Sequence, residues 1–318
     1  MAYDTAGDPM GQDLQWTHRT TEKISDHFAQ AGIEVSPNTV GRLLKTQGYA
    51  LRVNHKKKCT VSNPDRNAQF EYIHHMRQQF EDTRQPILSV DSKKKEMVGD
   101  FKSAGSAWSK DPRLVNDHDF MRDAKGIARP YGIYDVTGNR GFVCVGVSHD
   151  TAAFAVDSIV RYWKDEGSRR YPKAKHLLFL SDSGGSNNCR HWGWKHNLQI
   201  KLCNPFDLAV TVCHYPPGAS KWDPIEHRLF SEISKNLRGR PVDSYDTLLN
   251  YIATIRTKTG LVVNSCLLDG FYPLKQKPTQ EQIAQINIER HRVFPLWNYT
   301  IRPTLKKRDG SPARDRGG

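Results

Sequence analysis

The chain has 318 residues, with 47 Lys and Arg against 34 Asp and Glu, a formal net charge of +13, and 37% hydrophobic and 10% aromatic residues. That is enough apolar side chain for one large folded domain or two ordinary ones, which excludes wholesale disorder, and the cationic surplus points to an anionic polymer as partner. No apolar run approaches the ~20 residues a bilayer crossing needs, and the six cysteines form no C-x-x-C pair, which excludes a disulfide framework and a zinc ribbon.

Residues 1–15 lack periodicity and predict a flexible lead-in. Asp4, Asp8 and Asp13 do not fit a signal or transit peptide, so the expected location is the cytoplasm. Residues 16–62 predict a small helical helix-turn-helix region. Thr21 is placed to cap a helix running to about Ala31, with Ile24, Phe28 and Ala31 on one face. Gly32 ends it, and Ser36-Pro37 opens a second helix bearing Val40, Leu43 and Leu44. Arg42, Lys45, Arg52, Lys56, Lys57 and Lys58 follow in a stretch, 41–60, that holds no acidic residue. Such a stretch suits the phosphates of double-stranded DNA. A plain helical hairpin with a polar surface is the alternative reading.

Residues 63–85 predict a connector helix opened by Asn63-Pro64, with Phe70, Ile73, Arg77 and Phe80 at helical spacing. From residue 86 the pattern becomes that of a mixed α/β sheet, with a core expected over 86–260. Pro86–Val90 reads as a strand ending at Asp91, and 131–136 and 141–148 read as strands around a Gly138-Asn139 turn. Thr151 caps a helix carrying Ala152, Val156, Ile159, Val160 and Trp163. The apolar run His176–Leu180 leads to Asp182 and a Gly184-Gly185 turn. A helical stretch near 188–198, a strand around Leu208–Cys213 and a helix opened by Asp223-Pro224 complete the core. Residues 261–303 read as a C-terminal extension and 304–318 as a basic disordered tail.

Ligands of open sheets gather at the carboxyl ends of parallel strands, and Asp91 and Asp182 both end strands that read as central. Glu226, in the first turn of the helix after Pro216-Pro217-Gly218, is placed to reach the same edge. Three acids brought together repel one another unless divalent cations neutralise them, and two such cations suit phosphodiester chemistry. The competing account is capping: a strand-end Asp often caps a turn, and Asp223-Pro224-Ile225-Glu226 makes a good capping box. Asp135, Asp150 and Asp157 read as structural. Ser181-Asp182-Ser183-Gly184-Gly185 superficially matches a serine-protease loop, but no companion histidine motif or all-β context accompanies it. No phosphate-cradling G-x-x-x-x-G-K or G-x-G-x-x-G is present, so no nucleotide cofactor-binding residues are assigned.

Several segments together resemble a known family: Ser89–Glu96, Pro130–Asp135, Ser181–Asn187, Cys213–Trp222, Ile225–Phe230, Arg238–Pro241 and Trp297–Pro303. In order and content they resemble ISAzo-type insertion-sequence DDE transposases, over residues 16 to 303. The resemblance implies a ribonuclease-H-like core with a mixed five-stranded sheet flanked by helices, and Asp91, Asp182 and Glu226 as catalytic, metal-binding residues. It implies Mg²⁺ or Mn²⁺, two ions, as cofactor, and DNA cleavage at element ends followed by strand transfer to target DNA. A nucleoid-associated protein acting as a homo-oligomer on DNA fits the same picture. Lys93 and Lys95, on the face of Asp91 if the strand stays extended, are further candidates for phosphate contact. Family members carry further N-terminal sequence, and the tail after Pro303 departs from the family's ending. Two other readings remain open: an inactive or repurposed DNA-binding relative, and a metal-dependent nuclease without strand transfer.

Overall fold

In a computed structural model of the chain, the described residues are 6–7, 15–16, 19–51 and 64–304. They fall into two compact units, residues 1–60 and 61–318. Arg52, Lys56, Lys57, Lys58 and the tail from 305 lie outside the described residues.

In the first unit, helices α1 (Thr21–Gln30) and α2 (Pro37–Thr46) pack together. The cap of α1 is Thr20, one residue before the expected Thr21. Thr20 keeps an extended backbone, and its hydroxyl accepts the Lys23 N–H at 3.3 Å. Ser36 caps α2 as expected, accepting the Thr39 N–H at 3.2 Å, with Pro37 at the first helical position. Ser25 donates to the Val35 carbonyl at 2.5 Å and ties α1 to the connection. Ile24 and Val40 are buried, whereas Leu43, expected on the apolar face, is exposed. Arg42 and Lys45 are exposed on α2.

The second unit is built on nine described strands: β1 (Ile87–Ser92), β2 (Glu96–Val98), β3 (Gly126–Asp135), β4 (Arg140–Gly146), β5 (His176–Ser181), β6 (Ala209–His214), β7 (Val262–Leu268), β8 (Ile288–Arg290) and β9 (Asn298–Ile301). The order across the sheet is β8-β9-β6-β5-β1-β3-β4-β7, with β2 pairing β3. Its centre holds the five expected strands in the order β4-β3-β1-β5-β6, with β3 antiparallel to both neighbours and β1, β5 and β6 mutually parallel. This is a mixed sheet, as the resemblance implies. Residues 262–301, read from sequence as an extension, supply both outer edges: β7 runs parallel to β4, and β9 pairs antiparallel with β6.

Helix α3 (Arg66–Asp82), read from sequence as a connector, lies on the sheet. Its Ile73, Met76 and Phe80 join Ile87, Leu178, Leu180, Cys213 and Tyr215 in one apolar cluster. Buried Gln69 fastens it further. Gln69 donates to the His214 carbonyl at 2.8 Å and exchanges reciprocal amide bonds with Asn298 at 2.9 and 2.7 Å. Helix α4 (Ala152–Tyr162), capped by Thr151, and helix α5 (Trp192–Asn197) contribute Phe154, Ile159 and Trp194 to the main core. Helices α6 (Ser231–Asn236) and α7 (Tyr245–Ala253) contribute Ile233, Leu248 and Ile252 to a further cluster.

Candidate active site

Strands β1 and β5 are parallel, and their paired residues, Ile87 with Leu178, Leu88 with Phe179 and Ser89 with Leu180, keep one constant offset. Continuing that offset by two residues brings Asp91 level with Asp182 at the carboxyl ends of neighbouring strands. The Asp91 carboxylate accepts the Ser92 N–H at 2.7 Å and that of Asp182 accepts the Gly184 N–H at 3.2 Å. Both therefore do the turn-closing work that capping predicts, and both are also grouped.

Glu226 arrives by a different route. After β6 a 3-10 turn, Ser220–Trp222, leads to Asp223, whose Oδ1 accepts the Ile225 N–H at 3.2 Å as a helix cap. The same oxygen accepts the hydroxyl of Ser89, two residues before Asp91 on β1. The cap thus pins the start of the helix to the strand that carries Asp91. Glu226 then opens a π-helical turn, Glu226–Phe230, that runs into α6. Its carboxylate does not return to the Asp223 N–H, so the expected capping box is only half formed. This segment lies close on the sheet because β3 offers a glycine. A Cβ on Gly132 would stand 2.5 Å from Phe230 Cε1 and 2.9 Å from Ile225 Cδ1.

The acids feel one another. Burial, and then the charges of Asp182, Asp223 and Glu226, push the Asp91 carboxyl up to about 9. Burial also raises Asp182, with Asp150 adding to it, and raises Glu226, where His227 and Lys93 pull the other way. Asp223, given only a capping role by the sequence, is pushed up to about 7 by burial, against its bonds from Ser89 and Ile225, with Asp182 and Glu226 adding repulsion. Its Oδ2 is buried without a hydrogen-bond partner. The only sequence signal for this fourth member was its place three residues before Glu226.

Buried polar chains fix the floor of the site. His214 Nδ1 lies 2.7 Å from the Asp182 carbonyl, His214 Nε2 lies 3.1 Å from the Tyr299 hydroxyl, and Trp194 Nε1 donates to that hydroxyl at 3.0 Å. Asn187, beyond the Asp182 turn, accepts from the Tyr131 hydroxyl at 2.8 Å and donates to the Val90 carbonyl at 3.1 Å. Sequence reasoning missed both chains, since their members are far apart along the polypeptide. Ser181 is buried with its hydroxyl on the Asp182 carbonyl, and the nearby imidazole of His214 is already committed, so no serine nucleophile is assembled.

The two lysines separate. Strand β1 ends at Ser92, so the extended run needed to set Lys93 and Lys95 on one face with Asp91 stops short. Lys93 still donates its N–H to the Pro130 carbonyl and pairs with Glu96 at 2.7 Å, near enough to Glu226 to oppose the rise of its carboxyl. Lys95 is exposed beyond the strand. Asp135 is buried under two bonds from the Tyr171 hydroxyl, at 2.9 and 2.8 Å, and Asp157 pairs with Lys201 at 2.8 Å. Both are structural.

An all-oxygen set of partly buried, mutually repelling carboxylates has the donor chemistry of a hard divalent cation site. Among the described residues, no three His, Cys, Asp or Glu side chains stand gathered as a metal-holding group.

The family model described as Rhodopirellula transposase DDE domain matches residues 1–303. No curated protein matches the chain. Among solved structures, it is similar to the Mos1 transposase paired-end complex with left transposon end, at 13% identity and a TM-score of 0.44, over 74% of this chain and 65% of that one. A pre-cleavage Mos1 transpososome is similar at 13% identity and a TM-score of 0.44, over 74% of this chain and 66% of that one. The chain thus spans about 65% of the length of the first of these.

Proposed function

Since the chain belongs to the Rhodopirellula transposase DDE domain family, we propose that it cleaves DNA at the ends of a mobile element and joins the freed ends to target DNA. Asp91, Asp182 and Glu226 are the catalytic carboxylates in this reading. The observation that carries it is the shared register of Asp91 and Asp182, with Glu226 close enough to disfavour the ionised form of Asp91.

Bound Mg²⁺ or Mn²⁺ would supply the charge that activates the attacking oxygen and steadies the leaving one in an in-line displacement. Asp91, Asp182 and Glu226 would hold it, drawn inward from their present positions. The chain's own contribution is placement. The bond from His214 fixes the backbone of Asp182, the Ser89–Asp223 bond holds the helix of Glu226 against β1, and Lys93 favours ionised Glu226. No covalent protein intermediate is needed. Arg42, Lys45, Arg52, Lys56, Lys57 and Lys58 would bind duplex DNA, with Lys95 as an exposed phosphate contact.

The test is Asp182→Ala, assayed with element-end DNA and Mg²⁺. Strand cleavage should vanish while DNA binding survives, and retained cleavage would remove Asp182 from the chemistry. On a supercoiled target, joined DNA identifies a transferase, and cut but unjoined DNA identifies a nuclease.

A further inference from the structure

Just ahead of the Asp223 cap, the side chain of Trp222 is 43% exposed. It is not idle. The guanidinium of Arg66, the first residue of α3, stands 4.2 Å from its ring centroid, and the ammonium of Lys221 stands 4.0 Å from it. Phe70, one helical turn on from Arg66, braces the ring with its centroid 5.5 Å away. Among the described residues no carboxylate pairs with either cation. One indole therefore carries two cations, at 4.2 and 4.0 Å from its centroid, and an anion is the ligand that such a pair suits.

The place of this cluster decides which anion. Trp222 is joined directly to Asp223, which is bonded to Ser89 on the strand of Asp91, and Glu226 follows within one turn. The cations thus stand at the rim of an acidic site that repels a free polyanion. A DNA strand can reach those acids only if nearby cations compensate its backbone. We infer that Arg66, Trp222 and Lys221 form a phosphate grip, which binds the DNA backbone beside the phosphodiester presented to the carboxylates. The ring keeps the two cations oriented, and the cations make the contact. The inference rests on the proposed DNA chemistry of the site, but binding alone can test it.

The experiment measures the affinity of the full chain for an element-end duplex across a salt series without divalent cations. Wild type is compared with the double variant Arg66→Gln, Lys221→Gln, and with Trp222→Leu and Trp222→Phe. Two lost phosphate contacts should lower the slope of log K against log salt by about 1.8. Trp222→Leu, although it removes no charge, should lower the slope in the same direction, and Trp222→Phe, which keeps an aromatic face, should restore most of it. A double variant with the wild-type slope would overturn the grip. A Trp222→Leu variant that is folded by circular dichroism and keeps the wild-type slope would overturn the role of the ring. Neither outcome depends on cleavage, so a failure here stays separate from a failure of the Asp182→Ala test.

Discussion

His214 donates its Nδ1 proton to the backbone carbonyl of Asp182 at 2.7 Å, because a carbonyl oxygen can only accept. That fixes the tautomer. Nε2 must then accept from the Tyr299 hydroxyl at 3.1 Å, which leaves the hydroxyl oxygen free to accept from Trp194 at 3.0 Å. Every donor in this buried chain finds an acceptor only while the imidazole is neutral, and burial holds His214 down to about 4. The unfolded chain takes up that proton near pH ~6.5, so the folded state loses stability as pH falls from about 6.5 toward about 4. Urea unfolding of wild type and His214→Phe across this window should show a stability difference that changes by roughly 3 kcal/mol. A constant difference would mean that His214 titrates normally in the fold.

Asp91 carries the opposite sign. Its folded carboxyl is pushed up to about 9, first by burial and then by Asp182, Asp223 and Glu226, so ionisation in the unfolded chain costs the fold stability as pH rises from about 4 toward 9. In EDTA, Asp91→Asn should therefore be more stable than wild type at pH 8, by roughly 1–2 kcal/mol, with the gain shrinking toward pH 5. Adding Mg²⁺ should raise the unfolding temperature of wild type more than that of the variant. Equal stability of the two proteins at both pH values would show that the acids do not strain the metal-free site.

Much of this site was legible because strand ends and helix starts carry local signals. Asp91 and Asp182 close apolar runs, and Pro224 after Asp223 marks a helix start. The π turn at Glu226 carried no such signal, since it arises from how Leu229 and Phe230 seat on the sheet. Helix α3 reads from sequence as a connector for a related reason. Its apolar face was visible, but its firmest tie is a polar residue, Gln69, whose partner Asn298 lies 229 residues away. Strands β8 and β9 are short and β7 is only partly apolar, so it is pairing, β7 with β4, β9 with β6 and β8 with β9, that reveals them as strands.

Asp223 has two separable duties. As a cap it needs only an acceptor at Oδ1, which an amide also provides, whereas its charge bears on the other acids. Asp223→Asn should therefore fold with near wild-type stability, and its new amide hydrogens can face the carboxylates that now repel Asp223. Asp223→Ala loses the cap and leaves the Ser89 hydroxyl buried without its acceptor, at a cost of about 1–3 kcal/mol. Thermal unfolding of the pair checks this. Equal destabilisation by both substitutions would show that the fold needs the charge itself.

Gly132 sets how closely the residues flanking the start of the π turn at Glu226 seat on the strand beside Asp91. It pairs with Asp91 across the β1–β3 ladder, and on its open face rest Phe230 and Ile225, which flank the π turn begun by Glu226. A methyl at this position would meet Phe230 at 2.5 Å, so the helix must move outward and carry Glu226 with it. Gly141 on β4 has a matching close contact, with Leu229 Cδ1 at 2.5 Å, but it pairs with Tyr134, farther along β3 from the acids. Both Gly132→Ala and Gly141→Ala should cost about 1–3 kcal/mol through overpacking. Only Gly132→Ala should lose DNA cleavage out of proportion to its stability, by tenfold or more, because it displaces the carboxylate that the proposed function sets beside Asp91. Cleavage rates measured well below both unfolding midpoints separate the effects, and equal activity in the two variants would show that the seat of this helix does not govern the site.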